Sequence, residues 1–195
     1  MEGLVKAIGK KRFVGRLDSA MQQSQKVNFN ALGDNFTRYP INHGNQPNMQ
    51  SSYLFNYAGE PWLTQKWTRE IQEKYYGLGP RDAYPGDEDQ GQMSAWYVMS
   101  TIGLFQMEGG ASVNPFYEIG SPRFEKVTIH LSDKYYSGKT FVIVAKNASR
   151  KNRFIRSAKL NGKKLKTWRI PQKELINGGE LILEMGETPN KKIFK

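Results

Sequence analysis

The chain has 195 residues, 38% of them hydrophobic and 12% aromatic, which suffices for one or two domains with a real core and argues against disorder. It carries a formal net charge of +11, no cysteine and two histidines, His43 and His130, so disulfides and thiolate metal sites are excluded, and any metal would be oxygen-ligated, calcium-like or magnesium-like. No apolar run approaches the ~20 residues that span a bilayer, and the first residues lack the apolar core of a signal peptide.

In chain order, Leu4, Val5, Ile8, Phe13, Val14, Leu17 and Met21 predict two short helices broken near Gly9-Lys10-Lys11. Pro61 opens a helix in which Leu63, Trp67, Ile71 and Tyr75 recur every four residues, so one face packs inward. A further helix runs from about Gln92 to Gly103. It is apolar nearly all round through Met93, Trp96, Tyr97, Val98, Ile102 and Leu104, which predicts burial in a helical layer. Beyond Gly110 the period becomes two: Val127, Ile129 and Leu131 alternate with Thr128 and His130, leaving His130 exposed, and Phe141-Val-Ile-Val144 is a β-branched run. Ser137-Gly138, Asn161-Gly162 and Asn177-Gly178-Gly179 supply turns. Helices followed by strands read as α+β, with one part over residues 1–108 and another over 109–195.

Charge divides at the same place. Residues 1–108 hold 11 basic and 11 acidic side chains, and residues 109–195 hold 18 and 7. The basic half reads as a solvated face on strands rather than a nucleic-acid surface, because its lysines and arginines are dispersed through alternating segments.

Two polar runs stand out. In Tyr84-Pro-Gly-Asp-Glu-Asp-Gln-Gly-Gln-Met-Ser-Ala-Trp-Tyr-Val98, three adjacent acids sit in a glycine-punctuated turn ahead of a helix. Crowded carboxylates repel, share protons or hold a cation. The same acids also suit a plain solvated turn capping a helix through its dipole. Gln90, Gln92 and Ser94 either hold hydroxyl-rich ligands or cap that helix. Upstream, Tyr39-Pro-Ile-Asn-His-Gly-Asn-Gln-Pro-Asn48 is followed by Ser51-Ser-Tyr-Leu-Phe-Asn-Tyr-Ala-Gly-Glu-Pro-Trp62. Trp62 either stacks on a sugar face or anchors the helix start, while Trp96 and Tyr97 read as core. Asn35-Phe-Thr37 and Asn147-Ala-Ser149 fit the glycosylation triplet and carry little weight.

Together these runs resemble the glycoside hydrolase family 92 mannosidases. Their signatures look like His-Gly-Asn-Glu-Pro, Tyr-Leu-Tyr-Asn-Tyr-Ala-Gly-x-Pro-Trp and Gly-Asn-(Asp/Glu)-Asp-x-Gly-Gln-Met-Ser-Ala-Trp-Tyr. The similarity continues through Tyr117-Glu-Ile-Gly-Ser-Pro-Arg-Phe124, Leu160-Asn-Gly162 and Met185-Gly-Glu-Thr-Pro-Asn190, in order along nearly the whole chain. The resemblance implies an (α/α)6 barrel, here represented by its C-terminal portion with the catalytic loops in 1–108, followed by a β-rich C-terminal subdomain in 109–195. It also implies inverting, calcium-dependent removal of terminal α-linked mannose from glycans. Asp87 and Asp89 match the paired acids that serve as, or support, the general base. Asn45, Gln46 and Asp89 match the calcium ligands; His43, within its motif, either bonds a mannose hydroxyl or ties its loop down, and Trp62, Gln90 and Gln92 join it as candidate substrate-binding residues. Position 46 departs from the pattern: Gln46 keeps an oxygen but loses a charge, which predicts weaker metal binding. Asn48-Met49 replaces the usual Ser-His.

The opening Glu2-Gly-Leu4 looks like the tail of the family's His-Asp-Val-Glu-Gly-Leu segment. The expectation is therefore a fragment lacking the N-terminal lobe and the general acid upstream of residue 1. Such a fragment would be inactive alone and open to self-association through exposed apolar surface. The alternative is a non-catalytic carbohydrate-binding or structural remnant. Resemblance also implies a periplasmic or secreted bacterial protein with no nucleic-acid partner and no membrane span.

Overall fold

A computed structural model describes residues 1–30 and 38–194, so the Asn35-Phe-Thr37 triplet lies outside the described residues. The fold is α+β, with six α-helices and two β-sheets among the described residues. It divides into two compact units, Met1–Val98 and Met99–Lys195.

In the helical unit, α1 (Glu2–Ile8) and α2 (Lys10–Ser24) are broken at Gly9, whose φ of 85° is open to glycine at little cost. Phe13, Val5 and Ala58 form a small apolar cluster with Ile8, Val14, Leu17 and Leu54. The polar run after Tyr39 leads into a 3-10 helix, Gln46–Tyr53, and the single turn α3 (Leu54–Tyr57). Pro61 occupies the first position of α4 (Pro61–Lys74), where a missing N–H costs nothing. Leu63, Trp67 and Ile71 are buried as the four-residue recurrence predicts. The Phe29 ring meets the edges of Trp67 (6.2 Å) and Tyr75 (5.1 Å).

One inward face does not describe α4 fully. Thr64, Gln65, Thr68, Arg69 and Gln72 are buried too, so the helix is enclosed on a polar stripe as well as an apolar one. Two of these groups have local partners: Thr68 Oγ1 donates to Thr64 O, and Arg69 forks onto Glu73 Oε1 from Nε (2.9 Å) and Nη2 (2.7 Å), whereas the Gln72 amide is buried with neither of its polar atoms hydrogen-bonded.

The helix expected after Gln92 is α5 (Gln92–Ile102), but it is not enclosed all round. Met93, Trp96 and Ser100 are buried at helical spacing, whereas Ser94, Ala95 and Val98 face outward, Val98 with 56% exposure. Its composition is apolar on both sides, and its packing is not.

In the strand unit, β1 (Leu104–Phe105), β2 (Phe116–Ile119) and β7 (Arg169–Pro171) form one antiparallel sheet. The second has the order β3 (Lys126–His130), β4 (Thr140–Lys146), β8 (Gly179–Gly186), β5 (Phe154–Leu160), β6 (Lys163–Lys164). Only the β4 and β8 pairing in that sheet is parallel. Phe141, Ile143 and Ala145 on β4 alternate inward and stand beside Leu181, Leu183 and Met185 of β8, with Ile155 and Ala158 of β5 completing the layer. His130 is exposed, as the alternation predicts. Asn161-Gly162 joins β5 to β6 with φ of 49° and 77°, the double left-handed turn that suits a two-residue hairpin. Asn177-Gly178-Gly179, in contrast, follows the short helix α6 (Gln172–Ile176), which the sequence pattern did not reveal.

Among the described residues no helix is long and apolar enough to cross a membrane. Leu183→Ala should cost about 2–5 kcal/mol, since it opens a hole in the central strand of the larger sheet. A matching fall in the urea midpoint of the strand unit checks this.

Candidate functional site

The acid run and the His43 run converge through their backbones. A hydrogen bond from Gly44 N–H to Phe29 O (3.0 Å) and one from Ile41 N–H to Ser24 Oγ (3.0 Å) tie the His43 loop to the end of α2. The indole of Trp96 donates to Met49 O (3.1 Å), fastening the next turn to α5. With that loop held, Gly86 lies flat against Gly44. A Cβ on Gly86 would run into the Gly44 carbonyl, and a Cβ on Gly44 would stand 2.8 Å from Asn30 Oδ1 and 3.1 Å from Gly86 Cα. Gln46 Nε2 then donates to Asp87 O at 3.0 Å, a second tie between the two loops.

Within the acid run the three side chains part company. The Glu88 carbonyl accepts from Gln92 N–H (3.1 Å) and Met93 N–H (3.4 Å), and its Oε1 accepts from Ser94 N–H (3.2 Å), so Glu88 caps α5. Its other oxygen, Oε2, is buried without a hydrogen-bond partner. Asp87 and Asp89 are exposed on either side. Asp89 and Gln90 adopt φ of 43° and 61° ahead of Gly91 at 85°, three successive left-handed residues that turn the chain sharply into α5. Asp and Gln pay for that conformation, which marks the loop as shaped for something other than local stability.

His43 is turned inward, only 1% exposed, with Nε2 2.9 Å from Tyr76 Oη. Burial alone pushes its pKa down to about 3, so the ring is neutral. The Tyr76 hydroxyl donates to Met93 O at 3.3 Å, and burial, with the Glu88 charge adding to it, raises its pKa well above the ordinary phenol value. Tyr76, two residues past the end of α4, was not among the residues singled out from sequence, and no local pattern pointed to it.

The other expected residues are dispersed. Asn45 is exposed on the His43 loop beside Gln46, and Gln90 and Gln92 are exposed at the start of α5. Trp62 is half-buried at the start of α4, its Nε1 donating to Glu60 Oε2 (2.6 Å), while Glu60 Oε1 pairs with Lys10 (2.7 Å). Trp96 is buried and Tyr97 partly so, Tyr97 stacked on Tyr76 at 4.7 Å. Behind the Gly86 contact lies a polar cavity of about 430 Å³ lined by Asn28, Asn30, Lys74, Arg81, Tyr84 and neighbouring backbone. Amide, phenol and cationic groups of that kind suit a hydroxyl-rich ligand.

Among the described residues no three His, Cys, Asp or Glu side chains gather as a metal cluster. The set expected for calcium is of another kind: two amide oxygens, from Asn45 and Gln46, and one carboxylate, from Asp89. These are oxygen donors only, and Gln46, with its nitrogen committed to Asp87 O, keeps its oxygen for another partner. That chemistry fits a hard cation such as calcium.

Residues 1–187 match the family model for the glycosyl hydrolase family 92 catalytic domain. The chain is 30% identical over 181 residues to an uncharacterized secreted glycosidase of Arthroderma benhamiae, covering 92% of this chain and 20% of that protein. Among solved structures it is similar to the family GH92 α-mannosidase BT3965 of Bacteroides thetaiotaomicron in complex with mannoimidazole, with a TM-score of 0.81 and 33% identity over 99% of this chain and 24% of that one. It is likewise similar to the inverting GH92 mannosidase BT2199 of the same organism, with a TM-score of 0.78 and 35% identity over 99% of this chain and 26% of that one. The chain thus spans about a fifth to a quarter of the length of these relatives.

Gly86→Ala should destabilise the helical unit by about 2 kcal/mol or more, combining a φ of 68° with the clash against Gly44. Gly109→Ala, at φ 56° with open space around it, should cost only about 1 kcal/mol. Comparing the two denaturation midpoints separates backbone strain from loss of the loop contact.

Proposed function

The chain belongs to glycosyl hydrolase family 92, and on that premise we propose that it supplies the carboxylate side of an inverting site that removes terminal α-linked mannose from glycans. The observation that carries this reading is the junction of the two loops, in which Gly86 closes on Gly44 and Gln46 binds Asp87 O while Asp87 and Asp89 stay open to solvent. Inversion needs a carboxylate that takes a proton from water on one face of the sugar and an acid on the other, ~6.5–9.5 Å away. Asp87 and Asp89 fill the first role. Exposure to solvent leaves them reachable by water, while Glu88 is spent on the helix cap.

The acid comes from the three quarters of the enzyme that this chain does not span. Alone, therefore, the chain is inactive and works with the N-terminal lobe of the same protein. In the complete enzyme, residues 1–108 contribute to an (α/α)6 barrel and 109–195 form a β-rich subdomain. The passage from helix to strand after Ile102 supports that division.

Asn45, Gln46 and Asp89 would hold calcium, which supplies positive charge to neighbouring carboxylates and to sugar hydroxyls. His43 shapes the loop that presents two of these ligands, Gln90 and Gln92 offer side-chain amides to the sugar at the mouth of α5, and Trp62 adds an aromatic face. The mannoimidazole complex of the similar Bacteroides enzyme supports a mannose-containing ligand. The protein works outside the cytoplasm, in the periplasm or secreted; the secreted Arthroderma relative supports secretion.

A second reading rests on Gln46, where the resemblance leads one to expect glutamate. A glutamate could not donate to Asp87 O, so this chain trades a charged ligand for a loop-to-loop hydrogen bond. That trade suits a carbohydrate-binding remnant with weakened metal affinity. Gln46→Glu decides the matter: the variant should bind calcium at least about tenfold more tightly, an added charged ligand outweighing one surface hydrogen bond. Calorimetric titration reads this directly, and unchanged affinity would remove position 46 from the metal site.

For the enzyme reading, hydrolysis of an activated α-mannoside by the complete protein should fall about 10²- to 10⁴-fold in Asp89→Asn and vanish on chelation. Full activity in both cases would refute it.

A further inference from the structure

We propose that Tyr76 is a positioning residue for this site: its single hydroxyl pins the His43 loop to the first turn of α5 and so sets the placement of Asp87 and Asp89 against Asn45 and Gln46. The inference rests on the reading of the two loops as a mannoside site, but its geometry stands by itself.

The argument begins with proton count. A phenol has one proton to give, and the Met93 carbonyl, at 3.3 Å, can only accept. With the hydroxyl proton on Met93 O, as this bond has it, the other close partner, His43 Nε2 at 2.9 Å, has to donate. This chain of bonds, His43 Nε2–H to Tyr76 Oη–H to Met93 O, fixes the His43 tautomer with the proton on Nε2 and leaves Nδ1 as an acceptor. The reverse tautomer would draw the hydroxyl proton onto Nε2 and release Met93 O, breaking the tie to α5.

Rings hold the hydroxyl where it is. Tyr76 stacks on Trp96 with centroids 5.7 Å apart and planes 13° apart, and on Tyr97 at 4.7 Å, while His43 meets Trp96 edge-on at 4.3 Å. Two aromatic side chains, Trp96 and Tyr97, thus flank one bond path between the loops. His43 immediately precedes Gly44-Asn45-Gln46, and Met93 lies four residues beyond Asp89, so the two ends of the path reach both halves of the site. The second polar tie, Gln46 to Asp87 O, lies at the surface, where water competes for it. The Tyr76 tie is better shielded from that competition than Gln46 is, and together with the buried Trp96 bond to Met49 O it holds the loop to α5.

Tyr76→Phe keeps the ring and removes one oxygen. Three measurements test the proposal. Ring ¹⁵N spectra of the wild-type chain, which has only His43 and His130 to assign, should show His43 protonated at Nε2; protonation at Nδ1 would overturn the proposal without any variant being made. In Tyr76→Phe, amide exchange should speed up by about tenfold, the equivalent of one hydrogen bond, at both Gly44–Gln46 and Asp89–Met93, with the interior of α4 unchanged. Acceleration on one loop alone, or uniformly through the unit, would refute the pin.

In the complete enzyme, Tyr76→Phe should lower kcat by about 10- to 100-fold and leave KM within about threefold, because placement of the base suffers more than sugar binding. Unchanged kcat with a lowered Tm would reduce Tyr76 to a packing residue. If the wild-type enzyme cleaves no α-mannoside, the functional reading falls, while the ¹⁵N and exchange results still decide the pin.

Discussion

Two backbones meet at Gly44 and Gly86 with no room for a single methyl group between them, and the rest of the helical unit is arranged around that approach. Side chains can slide past one another by changing rotamer, but a peptide carbonyl against a Cα cannot. Once Gly86 is set against Gly44, the chain three residues on must turn through left-handed conformations at Asp89, Gln90 and Gly91 to reach the start of α5. Glu88 then falls at the helix cap and its two neighbours fall outside. The division of labour among three consecutive acids follows from where the backbone is pinned, with no special property needed in any of them.

Much of this was legible in sequence wherever one residue type has one physical use. Gly9 breaks two helices, Pro61 starts one, and Asn161-Gly162 closes a hairpin, because each relieves a steric restriction found nowhere else in its segment. Alternation placed His130 on the open side of β3 for the same kind of reason. The resemblance of the two polar runs to family 92 was readable as well, and the family model bears it out.

What the pattern missed depends on enclosure from several sides. The α4 recurrence predicts a single buried face, yet Thr68 and Arg69 are buried too, because polar groups go inside when Thr64 O or Glu73 can receive them. In the same way α5 reads as apolar throughout and still leaves Val98 in solvent. Tyr76 was invisible for a related reason. Its role comes from standing between His43 and Met93, 33 and 17 residues away, and no local period encodes that.

The larger sheet carries a consequence of its own. Its central strand, β8, is the last strand among the described residues and pairs in parallel with β4 on one side and antiparallel with β5 on the other. As the chain leaves the ribosome, β3 with β4 and β5 with β6 can form as separate hairpins, but each keeps a bare, apolar-faced edge until β8 arrives to fill the gap. The larger sheet is thus closed only by β8, a keystone that joins two hairpins which have no direct pairing with each other.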